Sequence, residues 1–548
     1  MESLLQRLDR LGGIETENKI ARLLERAAFV FLILMILSAP HSIAATQTAW
    51  LLGMTAWLVS CVFKPRPRFL KTPLNVALWA FFFWTAVTSV FSYAPAVSID
   101  KLRGAAVFLI FFLVVNNLRT TRAAKFLAFA LILSCMASAL WSPIERIFGR
   151  GVEVFGIKPD SVLLKATEFN HDNYLKAKGK NLRAFADATD INTKSMPLEE
   201  GDAIVDLEGE PLKSPEQFVA AIEQNEFTYF EYFRAPAYFS VKVRRSNLNA
   251  NGANALEKLG VENWHRSRNW RYGGFYGHII TYAEVVQMIA SCALGLFIAL
   301  EKKRSRAGAV LIFCVAAFVF ALLTTFTRSA QIALVASAIA MILAVGNRKM
   351  VLSFAAVILP VAVGGFFLMQ QNRSVGFFDQ KDESTSYRQT VYREGFNLWT
   401  HDARKFIFGV GMDSIKTHKE EWHLFDNGRL PTGHFHSTPL QLLVERGLPA
   451  LVLWFWILWI YGRTLLRGIA DSKFQIPNSK SFDWQTHGII LGCFGGLIGF
   501  FVSSAVNYSL GDGEVAMVFF MLMGIGVFLS IPDTRFQIPD SDSQYRTF

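Results

Sequence analysis

The 548-residue chain is 52% hydrophobic, with 49 phenylalanines, 13 tryptophans and only 18% charged residues. Soluble domains carry roughly a quarter charged residues, so this balance excludes an ordinary soluble protein and indicates a polytopic membrane protein. The formal net charge of +11 is divided among short connections instead of one basic face, which argues against nucleic acid as a partner.

The N-terminal stretch MESLLQRLDRLGGIETENKIARLLERA reads as polar and amphipathic, not as a cleavable signal peptide. About twelve apolar segments near the roughly 20-residue spanning length follow, around 24–40, 45–63, 74–92, 103–117, 123–141, 276–300, 307–326, 329–346, 350–369, 446–462, 487–506 and 514–531. The expected fold is therefore all-α and polytopic, interrupted by one small α+β insertion. All five cysteines (Cys61, Cys135, Cys292, Cys314, Cys493) fall inside these segments. They read as small packing residues, with no disulfide or zinc spacing.

Basic residues gather in alternate connections: KPRPRFLK at 64–71, LRTTRAAK at 118–125, EKKRSR at 301–306, NRK at 347–349, and the 463–480 loop. By the positive-inside pattern these connections and both termini are cytoplasmic. The long connections 142–275 and 370–445 then face outward. The chain divides into N-terminal spans (1–141), an external insertion (142–275), central spans (276–369), a large external loop (370–445), C-terminal spans (446–531) and a cytoplasmic tail (532–548).

Within the insertion, Ala203–Leu207 reads as a strand and Glu208-Gly209 as a turn. Ser214-Pro215-Glu216-Gln217 places an N-cap serine, a proline at N1 and a glutamine at N3, so a helix to about Gln224 follows. Strands are expected near Thr228–Arg234 and Tyr238–Arg244. With Gly201-Asp202 ahead of the first strand, 196–245 resembles the C-terminal half of a PDZ domain of the bacterial protease-associated type. That resemblance implies a spacer, or a docking site for a protein partner. GRGVEVFGIKPDSV upstream is a loose candidate for the carboxylate-binding loop, and the polar 246–274 stretch returns the chain to the bilayer.

Beyond the insertion, Glu284 is the clearest intramembrane charge, and it lies near the outer end of its span. Arg328, in TTFTRSAQIALVAS, occupies a short outer connection, against the inside bias for arginine; it either snorkels to headgroups or serves function. DESTSYRQTVYREGFNLW opens the large loop as an amphipathic helix carrying Arg388, Arg393 and the aromatics Tyr387, Tyr392, Phe396 and Trp399. That basic face either rests on lipid headgroups or holds a pyrophosphate, whose oxygens match the guanidinium fork without a metal.

In GHFHSTPLQLLVERGLPALVLWFW, Thr438-Pro439-Leu440-Gln441 repeats the capping grammar, with Thr438 as N-cap. His436 then sits two residues ahead of the cap, where the helix dipole favours the neutral imidazole required of a general base and attracts anions. Alternation turns His434 away from the same face. A metal site joining these histidines to His418 or His423 lacks carboxylate spacing, so no metal or cofactor is assigned. In the tail, Asp540-Ser541-Asp542 is a weak metal–nucleotide pattern, and RFQIPDSDS (535–543) repeats KFQIPNSKS (473–481) with no evident function.

Taken in order, Thr327-Arg328-Ser329, SYRQTVYREGFNLW, FIFGVGMDS (406–414) and HSTPLQLLVERGLPALVL (436–453) resemble the O-antigen ligase and polymerase superfamily of bacterial inner-membrane glycosyltransferases. The similarity covers roughly 276–465, and the last stretch fits the family's His-x-x-x-Leu followed by Glu-x-Gly. Two departures are Ser437, where the family commonly has asparagine, and the insertion. The resemblance implies transfer of a glycan from undecaprenyl pyrophosphate to an acceptor hydroxyl in the periplasm. In a ligase the acceptor is lipid A-core; in a polymerase it is another carrier-linked repeat, and protein O-oligosaccharyltransferases are the related alternative. Arg328 and Arg388 map to pyrophosphate-holding arginines and His436 to the essential histidine. Arg393, Tyr392, His434 and Glu284 are further substrate-side candidates. A transporter is the competing class, but no repeated halves are evident.

This topology predicts that a cysteine placed at position 220 is labelled by an impermeant thiol reagent in intact cells, whereas one at position 302 is not. Labelling at 302 without labelling at 220 inverts the map.

Overall fold

The computed structural model describes residues 4–64, 69–169, 195–234, 237–268, 271–346, 383–428, 430, 433–474 and 483–531. The expected span at 350–369, the basic cluster at 347–349, the start of the large loop, most of the 473–481 repeat and the entire 532–548 tail with its Asp-Ser-Asp triplet lie outside these residues. Two compact units are present. One comprises Met1–Ala139, Gly273–Leu323 and Thr327–Phe548, the other Leu140–Tyr272 with Thr324–Phe326.

Described helices in chain order are α1 (Leu4–Gly12), α2 (Lys19–Ser38), α3 (Ile43–Ser60), α4 (Leu74–Val90), α5 (Leu109–Asn117), α6 (Thr121–Phe148), α7 (Pro215–Gln224), α8 (Ile279–Ala299), α9 (Arg306–Thr324), α10 (Arg328–Val345), α11 (Glu383–Thr400), α12 (Ala403–Phe408), α13 (Thr438–Phe474), α14 (Trp484–Ser504) and α15 (Gly513–Ser530), besides shorter turns. Seven of the described helices are long and apolar enough to cross a membrane: α6, α8, α9, α10, α13, α14 and α15. The expected count of about twelve is not confirmed. The 103–117 segment breaks into a four-residue helix, a 3-10 turn and α5. Helix α4 is apolar but short. In α2 the first turns carry Lys19, Arg22, Glu25 and Arg26; Glu25 pairs with Arg119 at 2.9 Å and Arg26 with Asp9 at 2.5 Å. In α3, three threonines and a glutamine dilute the apolar run.

The centre of the larger unit is α8 against α14. A Cβ added to Gly492 would stand 2.4 Å from the Cys292 Cα, so the two backbones touch in the manner of small-residue membrane packing. Four of the five cysteines are buried and all are free, in keeping with packing roles. This close approach brings the Glu284 end of α8 beside the C-terminal end of α14.

Helix α13 contains a sharp break. Gly447 has φ 72° and ψ 179°, a conformation reserved for glycine, and splits α13 into a short leading helix and the long apolar one. Pro449 follows at the start of the second piece, where its missing N–H is not needed. The expected span beginning near 446 corresponds to that second piece; the preceding turns of helix carry the polar residues of the site.

In the second unit, a seven-stranded antiparallel sheet runs β2-β6-β5-β3-β1-β7, with β4 paired to β3. The strands are β1 (Val152–Ile157), β2 (Thr167–Glu168), β3 (Ala203–Leu207), β4 (Glu210–Pro211), β5 (Phe227–Arg234), β6 (Ala237–Arg244) and β7 (Val261–Arg266). Glu208 and Gly209, both at positive φ, form the tight turn between β3 and β4. The Ser214 hydroxyl caps α7 by accepting from Gln217 N–H at 3.4 Å. Phe218 and Ile222 of α7 share a buried core with Leu207, Phe230 and Val241. Arg234 closes this unit with a fork onto Asp202, at 2.9 and 2.6 Å. Two expectations are corrected. The proposed carboxylate-binding loop is strand β1, and the polar return segment contains β7, which pairs with β1; Val152, Val154 and Val261 are buried in that core, and the half-buried Trp264 packs against it.

Gly447→Ala is expected to destabilise the protein strongly. Its Cβ would lie 1.9 Å from the Ile407 carbonyl oxygen at a positive φ, so strain and overpacking together cost roughly 2–5 kcal/mol. A thermal unfolding midpoint in detergent equal to that of the parent would show the break to be dispensable.

Candidate active site

Two short sequence words interlock at the base of the site. Val410 N–H donates to the Val444 carbonyl and Gly411 N–H to the Glu445 carbonyl, both at 2.8 Å. Gly409, with φ 69°, leaves its Cβ position 2.4 Å from the Arg446 nitrogen, so a side chain there would collide with backbone. Thus the Gly-Val-Gly turn is clamped against Glu445-Arg446-Gly447, which fixes where the leading piece of α13 ends.

Above this clamp, the histidine segment departs from the extended chain that the sequence suggests. His436 has φ 46°, the left-handed region, where a non-glycine residue is uncommon. The turn folds His434 back: its ring lies 4.2 Å from that of His436, and its Nδ1 accepts the His436 N–H at 3.1 Å. The expectation that alternation separates the two histidines is therefore corrected. The cap is also displaced by one residue. Ser437 Oγ accepts from Leu440 N–H at 3.4 Å, while Thr438 donates both N–H and hydroxyl to the Asn507 carbonyl at 3.0 Å. Gln441 does not reach back to the cap amide; its Oε1 accepts Phe435 N–H at 2.8 Å.

Helix α11 supplies the opposite wall. The Tyr392 hydroxyl donates to the His436 carbonyl at 2.9 Å, and the Tyr387 ring meets His436 edge-on at 5.4 Å. Arg388, four residues before Tyr392 and hence on the same helix face, lies close enough to act electrostatically on both His436 and Tyr392. Among the described residues it has no ion-pair partner. Arg393 is exposed and, five residues on, points roughly 140° away at 3.6 residues per turn. Helix periodicity therefore separates the two arginines that the sequence placed together.

Arg328 opens α10 and is half-buried. Its neighbour Ser329 accepts from Asn507 Nδ2 at 2.9 Å, and the same amide donates to Glu284 at 2.8 Å. Glu284 Oε1 also accepts from Ser503 at 2.6 Å and Ser509 at 3.0 Å. That oxygen, proposed from sequence to face substrate, is occupied by protein donors. Asn507 thus joins the first turns of α10 and α13 to the Glu284 end of α8. Sequence reading missed Asn507 and Tyr508, for which the available signal was the polar run NYSLGDGE between two apolar helices, and gave Gln441 and Glu445 only capping and pattern roles.

The electrostatics favour an uncharged imidazole. Burial, with His434 and Arg388 adding to it, pushes the His436 pKa down to about 3. The helix dipole invoked from sequence gives the same direction, but burial is the larger cause. His434 is lowered too, by burial first and then by Lys416. Burial keeps the Tyr508 phenol protonated, well above its usual range, reinforced by Glu445. Among the described residues no cluster of three or more histidine, cysteine, aspartate or glutamate side chains is grouped to hold a metal. His418 and His423 instead contact Glu421 and Asn427, at 2.8 and 3.0 Å.

Comparison with known proteins gives no match to any curated protein. Residues 313–455 match the family described as O-Antigen ligase, a segment containing Arg328, Arg388, Tyr392, His434, His436, Gln441 and Glu445. With the seven apolar helices, this match supports a multi-pass membrane glycosyltransferase of the O-antigen ligase and polymerase type.

Proposed function

We propose that the protein transfers a glycan from undecaprenyl pyrophosphate to an acceptor hydroxyl on the periplasmic face of the bacterial inner membrane, acting as an O-antigen ligase on lipid A-core. The observation that carries this reading is a half-buried His436, whose surroundings disfavour its charged form, beside an Arg388 that has no ion pair among the described residues. A charged guanidinium without a carboxylate at a half-buried position suits an incoming anion.

In the proposed reaction the acceptor oxygen attacks the anomeric carbon, and the bond from that carbon to the pyrophosphate oxygen breaks. His436 takes the acceptor proton, and the pyrophosphate leaves on its lipid carrier. Pyrophosphate is already a competent leaving group, so the protein's task is to neutralise its developing charge and to remove one proton. Arg328 and Arg388 perform the first task, and no metal is assigned a role. A polymerase would use the same chemistry with a carrier-linked acceptor. In cells lacking the protein, free lipid A-core with no long chains marks a ligase, and core bearing a single repeat marks a polymerase.

With purified protein, undecaprenyl-pyrophosphate-linked O-antigen and lipid A-core, His436→Ala should abolish transfer while donor binding persists. Arg388→Ala should lower turnover at least about tenfold, since a charge-assisted hydrogen bond contributes roughly 1.5–3 kcal/mol. Arg388→Lys should recover only part, because lysine lacks the fork. Parental rates in His436→Ala, or loss of activity with EDTA and recovery with magnesium, would contradict the reading.

The depressed His436 pKa fixes the sign of the pH dependence. The base is neutral above its folded pKa, so kcat/KM should stay level as pH drops through 6.5, where an ordinary imidazole protonates, and decline only at more acidic pH. Stability should weaken below that ordinary value, because the unfolded chain then binds a proton that the folded site refuses. An acid limb centred near 6.5 in the donor-free profile would show that the ring is solvated.

A further inference from the structure

Glu445 is buried at 4% exposure and has no role in the reaction as written. Its Oε1 accepts two hydrogen bonds, one from Gln441 Nε2 and one from the Asp413 N–H, each at 2.9 Å. Gln441, buried at 2%, passes the connection on: its Oε1 accepts the Phe435 N–H at 2.8 Å. A continuous chain of three bonds thus runs from Asp413 through two buried side chains to the residue before His436.

Both ends of this chain are strained turns. Asp413 has φ 58° and His436 φ 46°. Asp413 is anchored from outside by Lys416 at 2.8 Å and Lys101 at 3.2 Å. Non-glycine residues persist in the left-handed region only where their surroundings over-determine them. At His436 those surroundings are the Phe435 amide on Gln441, the His436 amide on His434 and the His436 carbonyl on Tyr392. Only the first of these leads into the protein interior.

We propose that Glu445 and Gln441 form a positioning relay that holds the left-handed turn at His436, and with it the imidazole, by tying the Phe435 amide to the Asp413 amide. The inference rests on the glycosyl-transfer reading and deepens it, because it assigns the buried Glu445 a geometric role and not an acid–base one. The chemistry of the relay needs an acceptor at the Glu445 Oε1 position, not a charge. A glutamine there can keep its carbonyl oxygen toward Gln441 and Asp413 and turn its amide toward the Tyr508 hydroxyl, which lies 3.4 Å from Oε2. A methionine fills similar space but leaves both donors unpaired.

The test compares Glu445→Gln, Glu445→Met and Gln441→Met in the purified full chain, with undecaprenyl-pyrophosphate-linked glycan and lipid A-core. A misplaced base lowers kcat without touching the arginines, so both methionine variants should lose about ten- to a hundredfold in kcat. Their donor KM should stay within about twofold and Glu445→Gln within about threefold of the parent in kcat. Unfolding midpoints in detergent should remain near the parental value. An inactive but folded Glu445→Gln would make Glu445 an acid–base group and overturn the relay. So would parental kcat in both methionine variants, or a raised KM at unchanged kcat. Collapse of the fold in both methionine variants would assign the chain of bonds to stability and likewise reject positioning. His436→Ala, measured in parallel, separates the two ideas: if it transfers at the parental rate, glycosyl transfer itself fails, whatever Glu445 does.

Discussion

The arrangement of the candidate site depends on Asn507. Its amide donates to Glu284 and Ser329, and its carbonyl takes both donors of Thr438. Three helices, α8, α10 and α13, are referred through it to one point just beyond α14. A carboxylate as buried as Glu284, at 3% exposure, is costly unless its oxygens are paired. Ser503, Ser509 and Asn507 meet that demand at a single oxygen. Such networks specify one arrangement, because any slippage of α14 along α8 leaves several groups unpaired together. The glycine contact between Gly492 and Cys292 sets the separation of those two helices; the Glu284 network sets their register.

The second constraint is the break in α13. A straight helix through 438–474 would carry Thr438 away along the helix axis. Gly447 redirects the leading piece, and the Gly409-Val410-Gly411 turn is the surface it meets. The two words are about 35 residues apart, so neither has meaning in isolation. Each glycine in the clamp stands where a Cβ would strike backbone or a buried serine. Together they form a rigid floor on which a strained histidine turn can persist.

Local patterns were legible in the sequence wherever local physics decides the outcome. In the insertion, β3, α7, β5 and β6 lie within a residue of their expected limits, because an N-cap serine, a following proline and alternating aromatics all act within one turn or one strand. The seven long apolar helices were equally plain, whereas the expected span at 103–117 is broken into short pieces. What escaped were features set by distant partners. Asn507 is separated from Glu284 by 223 residues and from Ser329 by 178, and no periodicity reports such a junction. His434 was misplaced because alternation assumes an extended chain, whereas His436 is left-handed. The capping motif at 438–441 was displaced for a similar reason: Asn507 takes the Thr438 donors, and Phe435 takes the glutamine. β1 and β7 were hidden by the glycines and charges around them, and their apolar faces became evident only across the sheet.

The proposed chemistry asks for a cation and a base side by side, which electrostatics makes a natural conflict. Burial disfavours the imidazolium at His436, and His434 and Arg388 disfavour it further. In the donor-free protein this holds the base neutral but leaves it weak, since a low pKa also means a low affinity for the acceptor's proton. An incoming pyrophosphate reverses the local field. Its charge cancels that of Arg388 and favours a positive ring, so the affinity of His436 for a proton rises only when the donor is in place. Under the proposed mechanism, base strength is thereby coupled to donor occupancy without any moving part. The acceptor hydroxyl meets an effective base only beside a bound glycan, and a water molecule entering the donor-free site meets a poor one.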